Sequence, residues 1–208
     1  TNIIIAPAVN PGADLDLCID SPDETLAGFT PAGGTWSGTG ISNPTGVFSP
    51  TISGVGTFTA SYAVSNANCT TTESIDITVH NLPTIVAGNY GPICAGESVS
   101  FNATGGVNYV WDPPTGLTNA SIANPSASPA LTTNYTVIGT DAFGCLNTDQ
   151  TTLTIEPVPI AGFSGSSVCV GDTLSFENTT LPATGVTFVW NFGDGQTSTD
   201  SLPSVLYG

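Results

Sequence analysis

The chain has 208 residues, of which 39% are hydrophobic, and it carries 16 Asp plus Glu, one His and neither Lys nor Arg, for a formal net charge of -16. Charged residues make up 8% of it, against about 25% in an ordinary soluble domain. A surface without cations cannot neutralise phosphates, which excludes nucleic acid as a partner and direct attraction to anionic lipid.

Disorder is the other outcome of high net charge, but it goes with low hydrophobicity. Three Trp, nine Phe and alternating Val and Ile argue instead for packed cores. No apolar run reaches the roughly 20 residues of a membrane-spanning helix; residues 3–6 fall far short. The five cysteines stand at regular spacing without a CxxC pair. This favours disulfides in an oxidising compartment over a metal cluster, which needs closely spaced Cys or His.

Taken in order, the chain repeats itself. Cys18, Cys94 and Cys169 recur at 76 and 75 positions, each followed by a Trp: Trp36, Trp111 and Trp190. CAGESVSF (94–101) matches CVGDTLSF (169–176) in residue class, and CTTTESIDITV (69–79) aligns with CLNTDQTTLTI (145–155) without a gap. The expected units are 1–81, 82–157 and 158–208.

In the first unit, residues 3–5 read as an opening strand. Phe58, Ala60 and Tyr62 alternate with polar neighbours, as do Ile75, Ile77 and Val79. That is the period-two pattern of half-buried strands, joined here by an Asn-rich turn at 65–68. Pro and Gly punctuate the rest about every ten residues, the spacing of an all-β sandwich. The second unit places strands at 98–102, 108–111, 134–140 and 151–155, with a DAFG turn at 141–144 leading to Cys145. The linker 156–159 is Pro-rich and extended. The third unit places strands at 174–176 and 187–190 and a GDG turn at 193–195. By analogy with its predecessors it lacks the final hairpin and a partner for Cys169.

Cys18 and Cys69 are 51 positions apart, as are Cys94 and Cys145. The spacing predicts a bridge within each of the first two units, Cys18 with Cys69 and Cys94 with Cys145, leaving Cys169 unpaired. Each would close a loop of about fifty residues, contributing roughly 4 kcal/mol in the chain-entropy picture.

Candidate sites are few. Asp194 in GDG reads as a tight turn more readily than as a Ca²⁺ ligand, because hard cations need several oxygens at tuned spacing. Asp14, Asp16, Asp20, Asp23 and Glu24 form the densest acidic patch and the better Ca²⁺ candidate, though a solvated face accounts for it. The three Trp follow their cysteines at core spacing and are expected inside the sandwiches rather than as sugar-stacking platforms. His80, at a strand end beside a linker, reads as solvent-facing. With no Lys or Arg, a single His and no carboxylate pair, general acid–base chemistry has no assembled machinery, and the chain reads as a non-enzyme. Asn68, Asn102, Asn119, Asn134 and Asn178 open N-x-S/T triplets, a pattern common by chance in so Ser/Thr-rich a chain.

FVWNFGDGQTSTDSLPSVLY (188–207) carries Trp190, Phe192, Gly193, Asp194 and Gly195 in an order that resembles the polycystic-kidney-disease (PKD) domain. The resemblance implies an Ig-like β-sandwich used as a spacer in extracellular proteins. GGTWSGTGISNPTGVFSP (33–50) and YTVIGTDAFGC (135–145) resemble repeats of giant Bacteroidota surface proteins, which implies export by the type IX system and attachment at the outer membrane. It further implies O-glycosylation at Thr173 or Ser201. The expected whole is all-β: tandem Ig-like/PKD-like sandwiches arranged as beads on a string. The expected role is a stalk or filament segment of a cell-surface adhesin that projects an adhesive tip, with gliding motility as its setting. Partners would be neighbouring repeats, further copies of the chain or surface polysaccharide. The competing reading is a carbohydrate-binding accessory module of a secreted hydrolase, and a third is assembly by strand donation through residues 3–5 or the open third unit.

Overall fold

A computed structural model describes residues 5–182 and 185–207. Of the opening strand expected at 3–5, residues 3 and 4 lie outside the described residues. Ile5 is exposed and its carbonyl accepts a hydrogen bond from Asn66 Nδ2 (3.0 Å).

The first group of elements comprises β1 (Leu15–Cys18), β2 (Glu24–Thr25), β3 (Thr35–Ser37), β4 (Ile41–Asn43), β5 (Val47–Phe48), the single-turn helix α1 (Pro50–Ser53), β6 (Gly56–Ser65) and β7 (Thr70–His80). One sheet has the order β1-β7-β6-β3 and a second the order β2-β5-β4. The antiparallel hairpin β6–β7 is the backbone of the unit, in register from Gly56 opposite Val79 to Ser65 opposite Thr70. Its alternation sends Ala60, Tyr62, Val64, Ile75, Ile77 and Val79 inward, where they meet Trp36 and Phe48. Strand β1 adds to the outer side of β7 in parallel, Leu15 opposite Ile77 and Cys18 opposite His80.

Trp36 packs at a tilt 5.0 Å from Tyr62, whose hydroxyl accepts from Gly34 N (2.8 Å) and donates to the Pro31 carbonyl (2.7 Å). Gly46, at φ 99°, lies flat against the indole; a Cβ there would sit 2.5 Å from Trp36 Cδ1. No residue but glycine combines that left-handed conformation with that approach.

The second group comprises β8 (Ile93–Cys94), β9 (Val99–Ser100), β10 (Asn108–Asp112), β11 (Ser126–Ala127), β12 (Thr133–Thr140), β13 (Leu146–Leu153) and β14 (Ile155–Glu156). It repeats the plan. The hairpin β12–β13 pairs Thr133 with Leu153 and Thr140 with Leu146, β10 adds to β12, and β8 runs parallel to β14 with Cys94 opposite Glu156. Phe101, Trp111, Tyr135, Val137 and Leu153 fill the core, each at most 1% exposed. The Trp111 indole donates to the Ile122 carbonyl (3.0 Å), and Tyr135 OH donates to the Thr115 carbonyl (2.7 Å). Burial raises the Tyr135 phenol above its usual range, partly offset by a hydrogen bond from Thr133.

The third group has β15 (Phe163–Gly165), β16 (Thr173–Asn178), β17 (Trp190–Asn191), β18 (Thr197–Ser198) and β19 (Ser204–Leu206). Several contacts recur in it from the second. The bridge Ile160 to Leu181 stands where Val86 meets Thr104 and Asn10 meets Thr30. Phe176 N donates to Pro203 O (2.9 Å) as Phe101 N does to Pro125 O (2.8 Å). Phe176 packs on Trp190 (5.7 Å) as Phe101 does on Trp111 (5.0 Å).

Trp36 and Trp111 are inside, as expected. Trp190 is only half-buried, because no long hairpin covers it among the described residues. Its ring, with Phe163, Phe176, Phe192 and Tyr207, lines a groove of about 590 Å³. Of the strand expected at 187–190, only Trp190 pairs.

Candidate functional site at the first joint

The structure gathers its least expected chemistry where the first two groups meet. Cys18, last residue of β1, is bonded to Cys145 in the loop between β12 and β13, with Cα atoms 5.5 Å apart. The bridge spans a sequence separation of 127. Cys69 and Cys94 are free, so the pairings Cys18 with Cys69 and Cys94 with Cys145 are not those of the structure; Cys169 is free too.

Strand length explains the correction. Cys18 is level with His80 at the end of β7, whereas Cys69 immediately precedes Thr70 at its start. Eleven strand residues at about 3.3 Å each put the two cysteines roughly 36 Å apart, and a disulfide needs Cα atoms within about 7 Å. Cys94, level with Glu156, and Cys145, just before Leu146, are separated in the same way.

The loop carrying Cys145 is built by Asp141. Its Oδ1 accepts from Phe143 N and Cys145 N, both at 2.9 Å, while Asp141 N donates to the Cys145 carbonyl (3.0 Å). Short acidic or amide side chains stabilise such turns by capturing backbone donors two to four residues on. Gly144, at φ 88°, supplies the left-handed step that brings Cys145 back to the strand. The turn lifts Phe143 out against the first group. Its ring stacks on His80 with centroids 3.7 Å apart and planes 12° from parallel.

His80 is therefore not solvent-facing: its side chain is 16% exposed, and Nε2 lies 2.7 Å from Asp16 Oδ1. Asn147 Nδ2 donates to the carbonyl of Pro83 in the connecting segment (2.9 Å). Two residues further along β13, Asp149 Oδ2 accepts from Ala87 N (2.8 Å). That bond, and a second from Gln150 N, hold the Asp149 carboxyl below the usual carboxylate range. A covalent bond and a ring stack thus fix the second group against the end of the first, and the segment that leads into the second group is hydrogen-bonded to β13.

Two residues of the acidic patch have partners within the first group, while Asp20, Asp23 and Glu24 are exposed. Asp14 Oδ1 accepts from Asp76 N (2.8 Å) and Asp16 meets His80. Asp194 caps its own turn, Oδ1 accepting from Gln196 N (2.9 Å) and Oδ2 from Gln196 Nε2 (2.8 Å). Among the described residues no three His, Cys, Asp or Glu side chains are placed to hold a metal ion together, and no helix is long and apolar enough to cross a membrane. Thr173 and Ser201 are exposed.

Sequence reading missed the joint. Its signals were present: a Phe in a hairpin turn with nothing inside its own unit to pack against, and a His at the last position of the preceding strand.

No family model matches the chain, and no curated protein matches it. Among solved structures it is similar to three consecutive immunoglobulin domains of titin, at 14% identity and a TM-score of 0.41, over 91% of this chain and 78% of that one. It is also similar to a cis-dimer of protocadherin gamma B7 (16% identity, TM-score 0.29, 74% of this chain and 49% of that one) and to the human desmocollin-1 ectodomain (11%, 0.28, 90% and 51%). The chain thus spans about half the length of the last two.

Proposed function

We propose that the chain is a spacer: tandem β-sandwich units, divided near 81 and 157, that set a distance outside the cell and do no chemistry of their own. The single observation that carries this is the Cys18–Cys145 bridge with His80 stacked on Phe143. A flexible string of domains leaves its joints free, whereas this one is fixed by a covalent bond and a ring stack. Buried Trp36 and Trp111, a surface rich in carboxylates and without Lys or Arg, and the polar outer faces of the hairpins favour separation over capture. The disulfide favours an oxidising compartment. The PKD-like stretch 188–207 and the repeat-like stretches 33–50 and 135–145 favour a Bacteroidota surface adhesin, exported by the type IX route and used in attachment or gliding.

The test is rotational. Nitrogen-15 relaxation of the oxidised chain should return one common correlation time for amides of β6–β7 and β12–β13. Two clearly different times in the oxidised state would remove the fixed joint and the spacer reading with it.

A second reading, sugar binding, is favoured by one feature: the half-open aromatic groove around Trp190, where Phe163 is 65% exposed. Under the spacer reading, titration with soluble plant and bacterial polysaccharides leaves Trp fluorescence unchanged. A saturable change abolished by Trp190→Ala would shift the assignment to a carbohydrate-binding module.

A further inference from the structure

The bonded pair at the first joint and the two free cysteines on either side of it obey one placement rule. Each early cysteine ends a strand that runs parallel to the unit's last strand: Cys18 opposite His80, Cys94 opposite Glu156. Each is followed by the same tight turn, in which Ser21 N, Glu97 N and Asp172 N donate to the carbonyls of Cys18, Cys94 and Cys169, all at 3.0 Å. The early cysteine therefore sits at the end of the unit from which the chain departs.

Each late cysteine closes the hairpin loop at the opposite end. Asn66 N donates to the Cys69 carbonyl (2.9 Å) and Asn66 Oδ1 accepts from Cys69 N (3.0 Å). Asp141 makes the same pair of bonds with Cys145. Cys69 is thus the counterpart of Cys145, and Cys94 the counterpart of Cys18. At the joint where both kinds are present, they are bonded across it.

We propose that Cys94 and Cys69 are the open halves of two further joints. Cys94 bonds the hairpin-loop cysteine of the unit seated on the far end of the second group, and Cys69 bonds the departure-end cysteine of the unit seated on the near end of the first. The bonds follow the sense of the chain, departure end to hairpin loop, so the units are joined by a staggered ladder of inter-unit disulfides with no bridge inside any unit. Cys94 and Cys169 are exposed and Cys69 half-exposed, as this requires.

The chemistry is thiol–disulfide exchange with a low-molecular-weight disulfide as oxidant. The Cys94 thiolate attacks one sulfur of that disulfide, whose S–S bond breaks and releases one small thiolate. The loop cysteine's thiolate then attacks Sγ of Cys94 in the mixed disulfide, forming the protein bridge and releasing the second small thiolate. Two protein thiols are oxidised, one small disulfide is reduced to two thiols, and the two protons pass to the departing thiolates.

The inference rests on the spacer reading and is tested on the protein taken from its native source. Thiols are blocked by alkylation before extraction, and the protein is digested without reductant by a protease cutting at Asp and Glu. The expected result is a Cys94 peptide cross-linked to a hairpin-loop cysteine of the type in which Asn or Asp precedes Cys by three or four positions, beside an intact Cys18–Cys145 peptide. Cys94→Ser should remove the first cross-link completely and leave the second. A loop cysteine from the same chain leaves the non-reduced mass at one chain, and one from a second copy doubles it; both outcomes satisfy the rule. Alkylated Cys94 beside a bonded Cys18–Cys145 pair overturns the ladder and leaves the spacer reading standing. Cys18 bonded to Cys69 overturns both.

Discussion

Stretched between its ends, the oxidised chain should yield length only from residues outside the closed loop, and adding reductant should release a further ~440 Å. That figure follows from a sequence separation of 127 at about 3.3–3.6 Å per extended residue. Tension entering through β1 passes at Cys18 directly into the hairpin loop of the second group and leaves along β13 and β14. The β6–β7 hairpin, the connecting segment and Trp111 itself all lie inside the shunted loop. Single-molecule force spectroscopy with and without reductant measures the difference, and Cys18→Ser should reproduce the reduced trace without reductant. Equal contour lengths in the two states would show that the joint is not covalently closed. In solution the same bridge limits how far the units separate when one opens, and the chain-entropy estimate for a loop of this size is roughly 5 kcal/mol.

The second large effect is expected at Trp111. Trp111→Ala should destabilise the second group by about 3–5 kcal/mol, the range for removing a buried large aromatic. The side chain is 1% exposed, sits against Phe101 and uses its indole N–H on Ile122. Set against the roughly 5–15 kcal/mol of a whole domain, that loss should open the group at physiological temperature. Amide exchange separates the consequences: β12 and β13 should lose most of their protection while β6 and β7 keep theirs. Trp190→Ala should cost far less, since its ring is half-buried and its Nε1 donates to the Asp200 carbonyl at an exposed position. Matching losses from the two substitutions would refute the contrast between a filled and an open core.

Much of this fold could be read from residues alone, for identifiable reasons. The alternation of Ile75, Ile77 and Val79 has one structural solution, a strand with a single buried face, and that is β7. Trp36 and Trp111 recur behind their cysteines because each fills the same place between two sheets. The joint was not legible in the same way. Repeat spacing says which cysteines are equivalent, but equivalence is not proximity. Once the parallel register sets Cys18 beside His80, the length of the strand from 70 to 80 excludes Cys18 with Cys69, and only the fold reveals that the hairpin loop of one unit lies against the departure end of the unit before it. His80 was misread for the same reason. A residue at a strand end faces water only if nothing follows it in space, and Phe143 does.

The long loop closed by Cys18 and Cys145 also changes what damage means for this molecule. A single backbone scission anywhere between those two positions yields two pieces that sulfur still holds together. An exposed turn cut there by an environmental protease costs the molecule a peptide bond without severing it, so its two ends stay linked through the injury.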